Sequence, residues 1–353
     1  MSIQTTIQSI LREVRNLDRK ASPIPRSIWF APLMLTSLTL STGCAGMLES
    51  LGAGAAYRGS DLADKHIVRD IRYREDPEAH PEKHRLDLFL PPHAEDPFPT
   101  LVFVHGGGWT HGDRQTGFAG IRPYQNIGRY WANQGVAVAV ISYRLQPTVD
   151  WHAQVDDVSD ATRWVRENIE AYGGRADALY LSGHSAGAWL AARLAFDATA
   201  QSRAQLQPTD LCGVILVSGA AFDVRDPKTY ELGSSPAYFE KRFSDLEPEW
   251  KTRASIIPLI TEKQTASATM TSPTHIFWAE GEPATFERQA TLLARALETA
   301  DRPVRTQRIP GLNHQKIIIS MSRAETALTR SMQKLLQEGS CPAKPIAHSN
   351  PRS

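Results

Sequence analysis

ALYLSGHSAGAWL, residues 178–190, joins a short apolar run to Gly183, His184, Ser185, Ala186 and Gly187 and then continues into small and apolar residues. Leu179, Tyr180 and Leu181 have the character of a buried parallel strand, and residues 186–196 have the composition of a helix. A strand that delivers a serine into a tight turn, from which a helix departs, is the Gly-X-Ser-X-Gly elbow. Glycine is expected on both sides of it. A side chain there would collide with the neighbouring strand or helix while Ser185 takes up a strained backbone conformation. The five residues alone are weak evidence. Their weight comes from the strand before them and the helix after them.

Working outward, residues 100–104 and 136–143 read as buried strands, and so do residues 212–217, 274–278 and 304–309. Val158, Ala161, Val165 and Ile169 recur at helical spacing after the second of these, and Phe286, Ala290, Leu293 and Leu297 do so before the last. Near the end, Ile317, Met321, Ala324, Leu328, Met332 and Leu335 predict one long final helix. At the start, the alternation of Leu86, Leu88 and Leu90 ahead of Pro91 and Pro92 predicts an antiparallel edge hairpin. Strands alternating with helices imply right-handed crossovers and an α/β domain with a mostly parallel central sheet, whose ligands sit at the carboxyl ends of the strands. Residues 222–271 interrupt the rhythm with Phe222, Tyr230, Tyr238, Phe239, Phe243 and Trp250 among many charges. They predict a small helical insertion over the active site. The alternative is a segment that packs only on the flank of the domain.

The chemistry-bearing residues fall at those carboxyl ends. The strand 100–104 runs into His105, Gly106, Gly107, Gly108 and Trp109, a cluster whose backbone N–H groups no side chain obstructs and which can point at one oxygen atom. Ser185, Glu282 and His314 each follow a predicted core strand, in the order serine, acid, histidine. A serine hydroxyl needs a base to take its proton. A neutral imidazole suits that task near neutral pH, and a carboxylate fixes its tautomer. Glu280 also follows the strand 274–278, but Pro283 restrains Glu282 to an extended conformation just before the next helix, which favours Glu282. Glu280 is expected to tie down the loop by accepting backbone N–H bonds.

On His105-Gly106-Gly107-Gly108-Trp109, Tyr172-Gly173-Gly174 and the Gly183 to Gly187 elbow, residues 67–337 resemble the α/β-hydrolase superfamily, in the esterase branch with an HGGG motif. That branch includes hormone-sensitive-lipase-like carboxylesterases, kynurenine formamidases, prenylcysteine methylesterases and bacterial esterases acting on acylated carbohydrates. The resemblance implies the α/β-hydrolase fold. It implies a serine carboxylesterase for small or medium esters, with oxyanion donors at Gly107, Gly108 and Ala186 and with His105 organising their loop. Arg175-Ala176 departs from the Asp-Pro common in relatives, and Glu282 stands where Asp is commoner. An N-formamide hydrolase using the same residues is the alternative within enzymes, and a non-catalytic binding lipoprotein is the alternative outside them.

Composition bounds the rest. A formal charge of +1 over 353 residues offers no basic field for nucleic acid. Three cysteines, Cys44, Cys212 and Cys341, are too few for a disulfide framework, and no metal-ligand spacing occurs, so neither metal nor cofactor is expected. Cys212 reads as a buried core residue, and Cys341 has no evident partner in a polar tail (338–353) that is expected to be disordered. Residues 28–40 form an apolar run of signal-peptide length behind Arg19, Lys20 and Arg26 and ahead of LSTGCAG (40–46), which resembles a lipobox. Residues 1–43 thus predict a lipoprotein-type signal with a long leader, with lipidated Cys44 anchoring an exported protein to a bacterial envelope membrane and residues 44–66 as a tether. An uncleaved anchor, a plain signal peptide or a cytosolic helix remain as alternatives.

Overall fold

The computed structural model describes residues 60–94, 97–117, 121–207, 209–244, 249–261, 272–338 and 341. Its strands are β1 (Ile67–Arg72), β2 (Arg85–Phe89), β3 (Phe98–Val104), β4 (Ala137–Ile141), β5 (Gly174–His184), β6 (Leu211–Val217), β7 (Thr274–Ala279) and β8 (Val304–Ile309). They form one sheet in the order β1-β2-β4-β3-β5-β6-β7-β8, parallel from β4 onward, with β1 and β2 as the antiparallel hairpin at one edge. This is the α/β-hydrolase architecture that the resemblance implies.

Because side chains alternate along each strand, the sheet feeds two hydrophobic layers. Leu86, Leu88, Val102 and Val104 face α2 (Trp151–Asn168), α3 (Ala186–Phe196) and α9 (Ala284–Thr299). Phe89, Leu101 and Phe103 face α1 (Pro123–Asn133), α10 (His314–Ser320) and α11 (Ala327–Glu338). Every residue of α3 is buried, which its uniformly small and apolar sequence permits. Register then sets the site. Val104 pairs with Gly183, His184 with Val217, and Ala279 with Ile309, so the loops after β3, β5, β7 and β8 leave one edge of the sheet together. The chain reverses its order of strand addition between β3 and β5, the crevice where open α/β sheets bind ligands.

Among the described residues, the segment from 222 to 261 forms α5 (Pro227–Glu231), α6 (Pro236–Phe243), α7 (Trp250–Ala254) and α8 (Ile257–Thr261) after α4 (Ala198–Arg203) and β6. The segment is tied into the domain. Arg288 on α9 pairs with Asp226 at 2.9 Å, Gln289 exchanges hydrogen bonds with the Asp223 backbone at 2.7 and 3.0 Å, and Trp189 Nε1–H donates to the Ala254 carbonyl at 3.0 Å.

Three expectations need correction. The single final helix is two, because the chain turns at residues 321–326, where Glu325 is left-handed (φ 63°) and the Thr326 hydroxyl accepts the Thr329 N–H at 3.0 Å. Ala324 is exposed there, although its spacing places it on the apolar face. The packed domain also starts before Ile67. Leu62 is buried, and Arg129 and Asn133 on α1 bond the Leu62 and Asp61 carbonyls at 2.7 and 2.8 Å, so the end of the expected tether belongs to the fold. Cys341 does have a partner: it forms a disulfide with Cys212, which is buried at the start of β6 as expected but is not a free thiol. A feature that the sequence reading did not single out is Asp87, fully buried on β2 and accepting from Arg114 Nε at 3.0 Å, Gln125 Nε2 at 2.8 Å and the Asp70 N–H at 2.9 Å. Breaking such a buried pair from one side costs about 3–5 kcal/mol, so this cluster anchors the hairpin to the loop after β3. The expected signal segment, Cys44 and the tail other than residues 338 and 341 lie outside the described residues.

Candidate active site

Ser185 occupies the turn between β5 and α3 with φ 56° and ψ −121°, a conformation that L-residues rarely adopt. Its N–H donates to the Val217 carbonyl of β6 at 2.9 Å, which pins the turn. The flanking glycines are required by close approach. A Cβ on Gly183 would lie 2.1 Å from the Gly187 carbonyl oxygen, and one on Gly187 would lie 2.2 Å from that of Val104.

His314 reaches this serine from the first turn of α10, with Nε2 at 3.0 Å from Ser185 Oγ. Its Nδ1 is 2.5 Å from Glu282 Oε1, and the other Glu282 oxygen accepts the Ala279 N–H at 2.7 Å. A carboxylate only accepts, so Nδ1 carries the proton and Nε2 is left to accept from the serine hydroxyl. The Glu282 side chain is 1% exposed, which keeps water out of this bond. Glu280 instead accepts the Gly311 N–H at 3.0 Å and faces Arg308 at 3.3 Å, joining the loops that carry Glu282 and His314. Asn313 caps α10, its side chain accepting the Lys316 N–H at 2.9 Å.

The glycine loop lies against the serine, since a Cβ on Gly106 would come within 3.2 Å of Ser185 Cβ. Gly107 has φ 122°, and its carbonyl accepts from the Thr110 and His111 N–H groups at 3.2 and 3.0 Å. The N–H groups of Gly107, Gly108 and Ala186 have no partner among the described residues. Ala186 is also the first residue of α3, whose leading N–H groups point away from the helix. His105 is buried beneath the loop. Its Nδ1–H donates to the Gly106 carbonyl at 2.6 Å, its ring stacks on Tyr143 at 4.2 Å, and burial pushes its pKa down to about 4, so it is neutral. Tyr143 and Tyr124 complete the cradle, the first donating to the His105 carbonyl at 3.0 Å and the second accepting the Gly106 N–H at 3.1 Å.

One contact had no sequence signal. His184, the variable residue of the elbow, has its ring 4.8 Å from that of His314 and donates from Nε2 to the His314 carbonyl at 3.1 Å. Burial and the neighbouring imidazole hold it well below the usual histidine range, so it stays a neutral donor. These groups open onto a cavity of about 360 Å³ walled by Trp109, Phe286 and, from the insertion, Tyr238 and Phe239. The arrangement offers a hydroxyl with a base, a carboxylate behind the base and three unspent N–H donors.

Known proteins resemble this chain in parts of its sequence and in its fold. The BD-FAE family model matches residues 86–224. Isoprenylcysteine alpha-carbonyl methylesterase of Arabidopsis thaliana is 35% identical over 154 residues, 43% of this chain and 33% of that protein. Esterase LipC of Mycobacterium tuberculosis is 32% identical over 173 residues, 47% of this chain and 41% of that protein. The chain therefore spans well under half the length of these curated relatives. Among solved structures, esterase B from Lactobacillus rhamnosis superposes with a TM-score of 0.62 at 21% identity, covering 84% of this chain and 94% of that one. A truncated carbohydrate esterase from gut microbiota gives 0.59 at 17% identity, covering 80% and 99%. Together with the eight-stranded sheet, these structural likenesses show that the chain has the α/β-hydrolase fold.

Proposed function

We propose that the protein is a serine carboxylesterase for small or medium esters. The observation that carries this reading is the hydrogen-bonded series Ser185–His314–Glu282, at 3.0 and 2.5 Å, beside the unpartnered N–H groups of Gly107, Gly108 and Ala186. Ser185 Oγ attacks the ester carbonyl as His314 Nε2 takes its proton, and the carbonyl oxygen gains negative charge that the three N–H groups receive. Collapse expels the alcohol, which takes the proton back from His314, and leaves an acyl-serine. Water, deprotonated by the same imidazole, attacks that ester and releases the acid and the free serine. Glu282 stabilises the imidazolium in both halves. The cavity of about 360 Å³ is near the lower end of ligand sites, which run from about 300 to 1,000 Å³, and this supports compact substrates. Purified enzyme assayed on p-nitrophenyl acetate, butyrate and palmitate and on N-formylkynurenine should turn over the short esters fastest. Rates rising toward palmitate would refute the size argument, and exclusive turnover of the formamide would replace ester by amide chemistry.

We further propose that the protein is exported and anchored through Cys44. Support comes from the lipobox-like segment and from the Cys212–Cys341 disulfide, since structural disulfides persist mainly in oxidising compartments. Wild-type protein should then fractionate with membranes and Cys44→Ser should be released into the soluble fraction. Equal partitioning of the two would reject the anchor.

A further inference from the structure

The inserted segment does more than wall the cavity. Tyr238 on α6 holds its hydroxyl directly over Gly108: a Cβ built on that glycine would lie 2.7 Å from Tyr238 Oη. The same side chain lines the cavity that contains Ser185 and His314. Its position is fixed from two sides. The Arg242 guanidinium lies 3.5 Å from the Tyr238 ring centroid, and Arg242 Nε–H donates to the Gly108 carbonyl at 3.1 Å, so one arginine clamps the tyrosine and the glycine loop together. Trp109 approaches the ring at 6.3 Å. Among the described residues the phenolic hydroxyl itself has no hydrogen-bond partner, although it sits at a loop whose N–H donors are also unspent.

Resting on the esterase reading, we infer that Tyr238 is a further catalytic residue whose hydroxyl donates a hydrogen bond to the substrate's carbonyl oxygen as it becomes an oxyanion. The proton stays on the phenol throughout, and the contribution is a fourth donor beside Gly107, Gly108 and Ala186. A phenol placed before the reaction begins needs no reorganisation when charge develops, and that is the condition under which such donors are most effective.

The test uses the full chain and p-nitrophenyl acetate, whose leaving group departs without protonation, so any loss reports on the carbonyl oxygen. Tyr238→Phe should lower kcat by about 10²-fold, the order expected for loss of one preorganised oxyanion donor, with KM within about twofold. Phenylboronic acid, which forms a tetrahedral adduct on the serine, should bind this variant more weakly by a comparable factor. The thermal midpoint should not move, since the hydroxyl holds nothing else in place. A Tyr238→Phe enzyme with wild-type kcat, or one in which only KM rises, overturns the inference and leaves Tyr238 a wall of the pocket. Wild-type enzyme that hydrolyses none of the esters would instead be a failure of the underlying reading.

Discussion

On the esterase reading, Ser185→Ala should lower ester turnover by about 10⁶-fold, to the level that binding and oxyanion donors alone can supply, and should abolish labelling by a fluorophosphonate. The reagent reports an activated hydroxyl, and among the described residues Ser185 is the serine set against an imidazole and a buried carboxylate. Ser185 Oγ meets His314 Nε2 at 3.0 Å at the mouth of the cavity. Nearby serines are placed differently: Ser182 and Ser218 are fully buried in or beside strands, and the Ser142 hydroxyl accepts from Arg114 at 3.0 and 3.2 Å. The substitution is also mild for the fold. Alanine at φ 56° is strained about as much as serine is, and the Ser185 N–H that bonds Val217 is unchanged. Loss of activity with an unaltered thermal midpoint is therefore the expected pair of results. Labelling that survives Ser185→Ala would remove this serine from the mechanism.

What the sequence makes legible is what local chemistry repeats. The bounds of α3, 186–196, follow from the run of small residues after the elbow, and β3, β6 and β7 follow from short runs rich in apolar and β-branched residues. Glu282 and His314 could be singled out because each directly follows a strand and the strands are readable. Partners from distant parts of the chain could not. His184 carries nothing in its flanks that names the His314 carbonyl, 130 residues away, and the same holds for Asp87 and Arg114. The final helix misleads for a related reason. Two successive helices packed on one face of the sheet keep a common apolar rhythm across the break, while the break itself is carried by a threonine cap and one left-handed residue. Cys341 is misjudged because its partner lies 129 residues earlier. Tyr238 was visible only as one aromatic among several, since neither spacing nor composition says which of them would stand over Gly108.

The two glutamates after β7 give the sharper contrast. Glu282 serves two donors at once, the His314 Nδ1–H through Oε1 and the Ala279 N–H through Oε2, at 2.5 and 2.7 Å. Glutamine has one acceptor oxygen for these two. If the oxygen stays with Ala279, the amide N–H₂ faces Nδ1, which must then accept, and the imidazole proton moves to Nε2, where it can no longer receive the serine proton. If the oxygen turns to Nδ1, the Ala279 N–H is stranded and the imidazolium loses its negative partner. Either way Glu282→Gln should fold and bind substrate yet lose about 10²- to 10⁴-fold in kcat. Glu280 is almost half exposed, and its pairing with Arg308 is of the surface kind, worth about 0–1 kcal/mol. Glutamine can still accept the Gly311 N–H there through its amide oxygen. Glu280→Gln should accordingly stay within about fivefold of wild type, a change of about 1 kcal/mol in the barrier. A folded Glu280→Gln enzyme that is nearly dead, beside a Glu282→Gln enzyme that turns over normally, would reverse the assignment of the acid.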